Sequence, residues 1–390
     1  MAIVCRSQRV NNSIMTPPPS ATKHPLVSII VRTHGQRGSL LRECLQSVVN
    51  QEYRPLEINI VEDGGSRSAW VVSEFDNLPG IVMNYRSLPP SGRCVAGNTG
   101  LAAATGRWIN FLDDDDQLLP GHVRLLVERL RNKPHLKGVY GISLQVPTEV
   151  HSLEPLSYSE SSPQTLPTEP FTRWKLWHEA PFPIQACLFD RALFVRHGGF
   201  DPVLDQLEDW HLWMRYFSSE PIDVVEEVTS LFRIPADPAQ LDRRQQSFQH
   251  YRPVIAEKQR DITVTVSRTE FLQIATMELR NNLSPEIIAV ADHLPGAGWP
   301  IRSLLAMIRV ARSSWRNLRM LVQWIDPRIR RHLRELSSAK PDDTFTMSVA
   351  DVLSLMPELQ SRHDLADFRI LENVLRRLGW LKTPKLPLEC

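Results

Sequence analysis

Four consecutive carboxylates, Asp113, Asp114, Asp115 and Asp116, close the strand-like apolar run Trp108 to Leu112. Adjacent carboxylates repel, so at neutral pH they either face solvent or share a cation. Taken alone, such a run reads first as a solvated acidic turn. Two other acidic groups bear on the choice. Asp63 ends a second β-branched run, Leu56 to Val61, and Glu208-Asp209 opens a helical pattern in which Trp210, Trp213, Met214 and Phe217 share a face. If the strands ending at Asp63 and Asp113 are parallel, both acidic ends lie on one sheet edge, where open α/β folds bind ligands. That convergence makes a cation site the stronger reading. Glu208 and Asp209 also suit the first turn of any helix, where they complement its dipole.

The elements that must position these groups are visible as periodicity. Leu26 to Val31 reads as a strand buried on both faces, broken by His34 to Gly38, after which Ser39 caps a helix with Leu40, Leu41, Cys44, Leu45, Val48 and Val49 on one face. With Leu56–Val61 this makes a right-handed βαβ unit. A helix near 68–75, a strand near 82–88, and a small-residue loop from Ser91 feeding a tightly packed helix that ends at Gly106 carry the pattern to the acidic run. Next come a helix around Val123 to Leu130, a strand over Val139 to Val146, and a long Pro-, Ser- and Glu-rich surface loop from Pro147 to Pro170, either a lid or an insertion. Trp174 and Trp177 read as core, with stacking on sugar rings as the alternative. Ala186 to Phe189 and Val224 to Ile234 read as the remaining strands.

With 390 residues, 42% hydrophobic and 23% charged, the chain has ordinary globular composition and room for two to three domains. Lys plus Arg (45) and Asp plus Glu (44) nearly cancel, so no global charge points to nucleic acid, and none is expected as a partner. Five widely spaced cysteines without metal-ligand spacing read as free thiols in a reducing compartment. No signal-peptide-like or membrane-spanning apolar run occurs, so the expected location is cytoplasmic, with the inner face of the cell membrane as a peripheral alternative. The expected organisation is a flexible leader (1–25), an α/β domain (26–240), a helical region (241–340) and a small helical C-terminal unit (341–390). Residues 301–325 place apolar residues at helical intervals with interleaved arginines. They are expected to form a bundle helix, with contact to an anionic membrane surface as the alternative.

Pro25 to Thr33, Val61-Glu62-Asp63-Gly64-Gly65-Ser66, Phe111 to Asp116, and Gly198-Gly199-Phe200-Asp201 with Leu207-Glu208-Asp209-Trp210 occur in an order that closely resembles the family 2 glycosyltransferases of the GT-A fold. The resemblance covers about residues 25–235. It implies an α/β mixed sheet flanked by helices; the α-helical C-terminal region expected after it rests on the apolar spacing alone, since the resemblance does not reach it. It also implies transfer of a sugar from a nucleotide-sugar donor to a saccharide or lipid-linked hydroxyl acceptor with inversion, in cell-surface polysaccharide or glycoconjugate synthesis. The family's Asp-x-Asp motif maps onto Asp113-Asp114-Asp115 and implies Mn²⁺ or Mg²⁺, with Asp115 the main ligand and Asp113 or Asp114 contacting ribose or a metal-bound water; Asp113 is the second candidate ligand. By the same resemblance Asp63 meets the nucleotide base, Arg32 and Thr33 line its pocket, and Arg93 and Asn98 touch the nucleotide or diphosphate. Asp209 is the base and Glu208 its neighbour or acceptor-binding partner.

Three positions differ from the family pattern. Arg32 stands where many relatives carry proline, Gly97 replaces a common arginine before Asn98, and His211 replaces a commonly acidic residue after Trp210. The first two bear on donor choice; His211 is a structural histidine or a third metal ligand. The alternatives to a glycosyltransferase are a non-catalytic nucleotide-sugar-binding or scaffold protein and a metal-dependent nucleotidyltransferase.

Overall fold

The computed structural model describes residues 24–75, 77–166, 171–267 and 344–349. The leader before residue 24, the bundle helix expected over 301–325 with its membrane-contact alternative, and most of the C-terminal unit lie outside them. The chain opens with β1 (Val27–Thr33), α1 (Gly38–Val49), β2 (Leu56–Asp63), α2 (Ala69–Ser73), β3 (Ile81–Leu88), α3 (Arg93–Ala103) and β4 (Trp108–Asp113). β1 pairs in parallel with β2 on one side and β4 on the other, and β3 continues the parallel set beyond β2. Every residue of β1 is buried. Its alternate side chains feed the cores on the sheet's two faces: Val27, Ile29 and Val31 pack with Leu41, Cys44, Leu45 and Val48 of α1, while Ile30 joins the opposite core.

β5 (Gln117–Leu118) and α4 (His122–Asn132) follow, then β6 (Gly138–Leu153), β7 (Leu156–Glu160), β8 (Gln164–Leu166), α5 (Arg173–His178), β9 (Cys187–Asp190), α6 (Arg191–His197), α7 (Glu208–Phe217), β10 (Ile222–Pro235) and α8 (Pro238–Lys258). The sheet order is β3-β2-β1-β4-β9-β6-β10-β5, with β7 and β8 added against β6. β9 is antiparallel to both β4 and β6, so the sheet is mixed and flanked by helices, as the resemblance implied. The core behind β4 and β9 is aromatic: Phe111, Phe189, Phe182, Trp213, Tyr216 and Phe217 are all buried in it.

Several expectations are corrected. The stretch 147–170 is not one long loop: β6 runs on to Leu153 and turns back as β7, and β8 also pairs with β6. Its polar, largely exposed side chains hide backbone pairing from any hydrophobic pattern. Ser39 does not cap α1; the helix starts one residue earlier and the Ser39 hydroxyl donates to Glu154 Oε1 at 2.8 Å. Helix α3 begins at Arg93, inside the expected loop, and stops at Ala103. Trp177, by contrast, is core as expected: it is fully buried and its Nε1 donates to Ser218 Oγ at 3.0 Å, which leaves the stacking alternative without an exposed ring. In the segments expected to be helical, β11 (Thr263–Ser267) pairs antiparallel with β12 (Thr344–Ser348), and Ile255, Ile262, Val264 and Val349 join the aromatic core. Cys44, Cys94 and Cys187 are buried free thiols.

Candidate functional site

Parallel pairing brings the carboxyl ends of β1, β2 and β4 to one edge and sets Arg32 directly opposite Asp113. Arg32 Nε and Nη2 donate to the two Asp113 oxygens at 2.7 and 3.0 Å, a bidentate pair. Its Nη1 reaches Glu208 Oε1 at 3.1 Å, and Arg93 Nη1 lies 3.5 Å from the same oxygen. One arginine thus ties the end of β4 to the start of α7. Burial works against the Arg32 charge, but Asp113 and Glu208 outweigh it and raise its pKa. Asp113 stays below its usual range because Arg32 overcomes the burial that would push it up.

The other aspartates diverge. Asp114 is buried, accepts from Thr33 Oγ1 at 2.6 Å, and places Oδ1 2.6 Å from Arg37 Nη2, an ion pair out of line for a hydrogen bond. Burial pushes its carboxyl up to about 7 against the pull of Arg37. Asp115 pairs through Oδ2 with Arg37 and remains 27% exposed. Asp116 is 7% exposed, closes a turn by donating its N–H to the Asp113 carbonyl at 3.0 Å, and accepts from Arg233 N–H at 3.0 Å. Burial, then the charge of Asp115, pushes its carboxyl well up. A solvated turn is therefore not what the run forms.

The donor set can be tested against a hard divalent cation. Among the described residues no group of three His, Cys, Asp or Glu converges as a cage. Mg²⁺ and Mn²⁺ need fewer protein ligands than that, since one or two carboxylates suffice beside substrate phosphates and water. Asp115, partly exposed, fits as that carboxylate. Asp113 is the less open of the two, because Arg32 already donates to both its oxygens. His211 does not fit: its charged neighbours are Arg215, Asp201 and Lys258, and burial lowers it to about 4.

Opposite Asp113 stands the start of α7. Leu207, at φ 60, holds the left-handed region that side-chain-bearing residues rarely adopt, and so aims the first turn of the helix. Glu208 is buried; Asp209 is half-buried and accepts from the Trp210 N–H at 2.7 Å. Partial burial and the adjacent Glu208 raise Asp209 to about 6, against Arg32 and Arg93. A cleft of about 420 Å³ lies between these walls, and Arg32, Arg93, Asp113, Asp116, Glu208 and Asp209 all line it.

The glycosyl transferase family 2 profile matches residues 28–195, from β1 through α6. The chain carries a family 2 glycosyltransferase domain. It is 34% identical over 104 residues to the uncharacterized glycosyltransferase YwdF of Bacillus subtilis, a match covering 27% of this chain and 38% of that protein. It is 32% identical over 111 residues to the GalNAc(5)-diNAcBac-PP-undecaprenol beta-1,3-glucosyltransferase of Campylobacter jejuni, covering 27% and 34%. The chain thus spans about a third of the length of these two relatives. The solved mannosyltransferase of Pyrobaculum calidifontis, in complex with GDP-Man and Mn²⁺, is 18% identical with a TM-score of 0.46, covering 74% of this chain and 81% of that one.

Within the glycosyltransferase domain the residues expected at the nucleotide separate into two groups. Arg32, Arg93 and Asp113 face the cleft. Asp63, Thr33, Asp114 and Asn98 are not among its lining residues. Both Asp63 oxygens accept backbone N–H groups, from Ser91 at 2.6 Å and Gly92 at 2.9 Å, and so fold the loop that starts α3. Asn98 clamps Phe200, donating to its carbonyl at 2.9 Å and accepting from its N–H at 2.7 Å. Gly97 is small for a physical reason: a Cβ there would lie 2.5 Å from the Phe200 ring, so the arginine of many relatives has no room. Three further residues matter that no motif signals. Arg37 neutralises Asp114 and Asp115; Arg233 donates to the Asp115 carbonyl at 2.9 Å; Gln185 lines the cleft.

Proposed function

We propose that this chain is an inverting, divalent-metal-dependent glycosyltransferase that moves a sugar from a nucleotide donor to a hydroxyl of a saccharide or lipid-linked acceptor. The observation that carries the reading is Asp209 at about 6 facing the Arg32–Asp113 pair across one cleft. The acceptor oxygen attacks the anomeric carbon, the bond from that carbon to the diphosphate oxygen breaks, and the acceptor proton passes to Asp209. A single displacement inverts the anomeric centre. Arg93, the first residue of α3, meets the diphosphate where the helix N-terminus also favours negative charge. Asp115 is the residue that would hold Mg²⁺ or Mn²⁺, which when bound would supply charge neutralisation for the departing diphosphate.

The cellular setting in this reading is cell-surface polysaccharide or glycoconjugate synthesis, in the cytoplasm or at the inner face of the membrane. Among the described residues no helix is long and apolar enough to cross a membrane. Assay of wild type, Asp115→Asn and Asp209→Asn with a nucleotide-sugar panel and Mn²⁺ tests the reading. Both variants are expected to lose transfer; full transfer by both overturns it. Release of nucleoside monophosphate without a glycosidic product would instead indicate attack at phosphorus.

A further inference from the structure

Gln185 sits in a single 3-10 turn, Ile184–Ala186, that leads into β9. It is 1% exposed, and neither its Oε1 nor its Nε2 has a hydrogen-bond partner. Buried carboxamides are nearly always paired, because leaving one unpaired forfeits the hydrogen bonds it makes with water. The backbone of the turn is held in place: Asn110 Nδ2 donates to the carbonyls of Gln185 and Cys187, each at 2.9 Å. The side chain is therefore kept at the cleft, on a turn tied to β4 three residues before Asp113, in the same cavity as Glu208 and Asp209.

From this we infer that Gln185 is a specificity-determining residue whose carboxamide reads hydroxyl groups of the transferred sugar. The inference rests on the proposed glycosyl transfer. In that reaction the anomeric carbon lies between the diphosphate held near Asp113 and Arg93 and the acceptor oxygen deprotonated by Asp209. The sugar ring must then occupy the cavity between those walls, which Gln185 lines. A carboxamide offers two donors and an acceptor, and neighbouring ring hydroxyls each donate and accept, so the two sets complement one another. A site with buried polar groups of this kind discriminates strongly against a ligand that leaves them unpaired. The bare protein carries the unpaired amide, and the bound sugar satisfies it.

The test is calorimetric titration of wild type and Gln185→Met with UDP, GDP and a panel of UDP- and GDP-linked hexoses in Mn²⁺, beside thermal melts without ligand. Methionine keeps the volume and removes the polar atoms. The nucleoside diphosphate that binds wild type is expected to bind Q185M equally well, while the matching nucleotide sugar binds about tenfold more weakly. The unliganded Q185M is expected to melt at or above the wild-type temperature. An unchanged nucleotide-sugar affinity together with a lowered melting temperature overturns the inference, because the carboxamide then serves the fold. Should Q185M not fold, Gln185→Leu, which also removes the polar atoms and adds no charge, carries the same expectation. Folded wild type that binds nucleoside diphosphate but no nucleotide sugar, and transfers none, overturns the transferase reading itself.

Discussion

The two walls of the cleft handle charge in opposite ways. On the β4 wall the aspartates are supplied with cations before any substrate arrives: Arg32 takes Asp113, and Arg37 takes Asp114 and Asp115. On the facing wall Glu208 of α7 shares Arg32 and Arg93, but Asp209 is bonded to its own helix, and the side chain of Gln185, on the turn before β9, has no hydrogen-bond partner. Apart from the second oxygen of Asp115, which Arg37 leaves open for a cation, the satisfied wall is built to stay as it is when substrate binds. The unsatisfied wall has hydrogen-bonding capacity to spare, which is what a surface for a reacting hydroxyl and a sugar ring requires.

The largest expected effect is on the unsatisfied wall. Asp209→Asn removes the proton acceptor and is expected to lower kcat by about 10²–10⁴-fold, with nucleotide affinity kept. Because the ionised Asp209 is disfavoured in the fold, the neutral amide is also expected to raise stability at pH 8, measurable by urea denaturation. A variant that lost stability instead would place Asp209 among the satisfied groups and break the contrast between walls.

The satisfied wall predicts the reverse. Arg32→Met leaves Asp113 and Glu208 without their shared cation, and breaking a buried pair costs about 3–5 kcal/mol; the partial exposure of Asp113 favours the lower end. Urea denaturation measures this directly. A loss below about 1 kcal/mol would mean that Arg32 is available to substrate and is not a structural bridge.

The contrast also explains what the sequence reveals and what it hides. The parallel βαβ frame is legible because β1, β2 and β4 are continuous apolar runs and α1 repeats at helical intervals. The carboxylates are legible because they stand at the ends of those runs. Their partners are not. Arg37 meets Asp115 across 78 residues of sequence and Arg233 meets the Asp115 carbonyl across 118, and a single arginine leaves no periodic trace. Gln185 is equally silent, since burial without a partner exists only in three dimensions. The β6–β7–β8 pairing was hidden for another reason: it is made by backbone in a stretch whose side chains are mostly polar and exposed.

A smaller effect tests the packing beneath Arg32, whose guanidinium lies 5.3 Å from the centroid of the Phe200 ring. Gly97→Ala gains about 1 kcal/mol of helix propensity but drives a methyl group into Phe200, an overpacking cost of about 1–3 kcal/mol. The strain is expected to prevail, giving a net loss of about 1 kcal/mol in urea denaturation. A stabilised Gly97→Ala would show that Phe200 moves freely and that Arg32 is not braced from below.

The finest discrimination between the walls is the pH dependence of kcat/KM. Asp209 must be ionised to accept the acceptor proton, and burial with Glu208 beside it sets its pKa at about 6, opposed by Arg32 and Arg93. Activity is therefore full above about pH 7 and declines as pH falls through 6, reaching roughly a tenth at pH 5. Glu208→Gln removes the neighbouring negative charge, so the acidic limb is expected to move to lower pH. A limb that stays at 6 in Glu208→Gln would assign the titration to a group outside the α7 wall. A limb that moves down ties the proton acceptor to the unsatisfied side of the cleft.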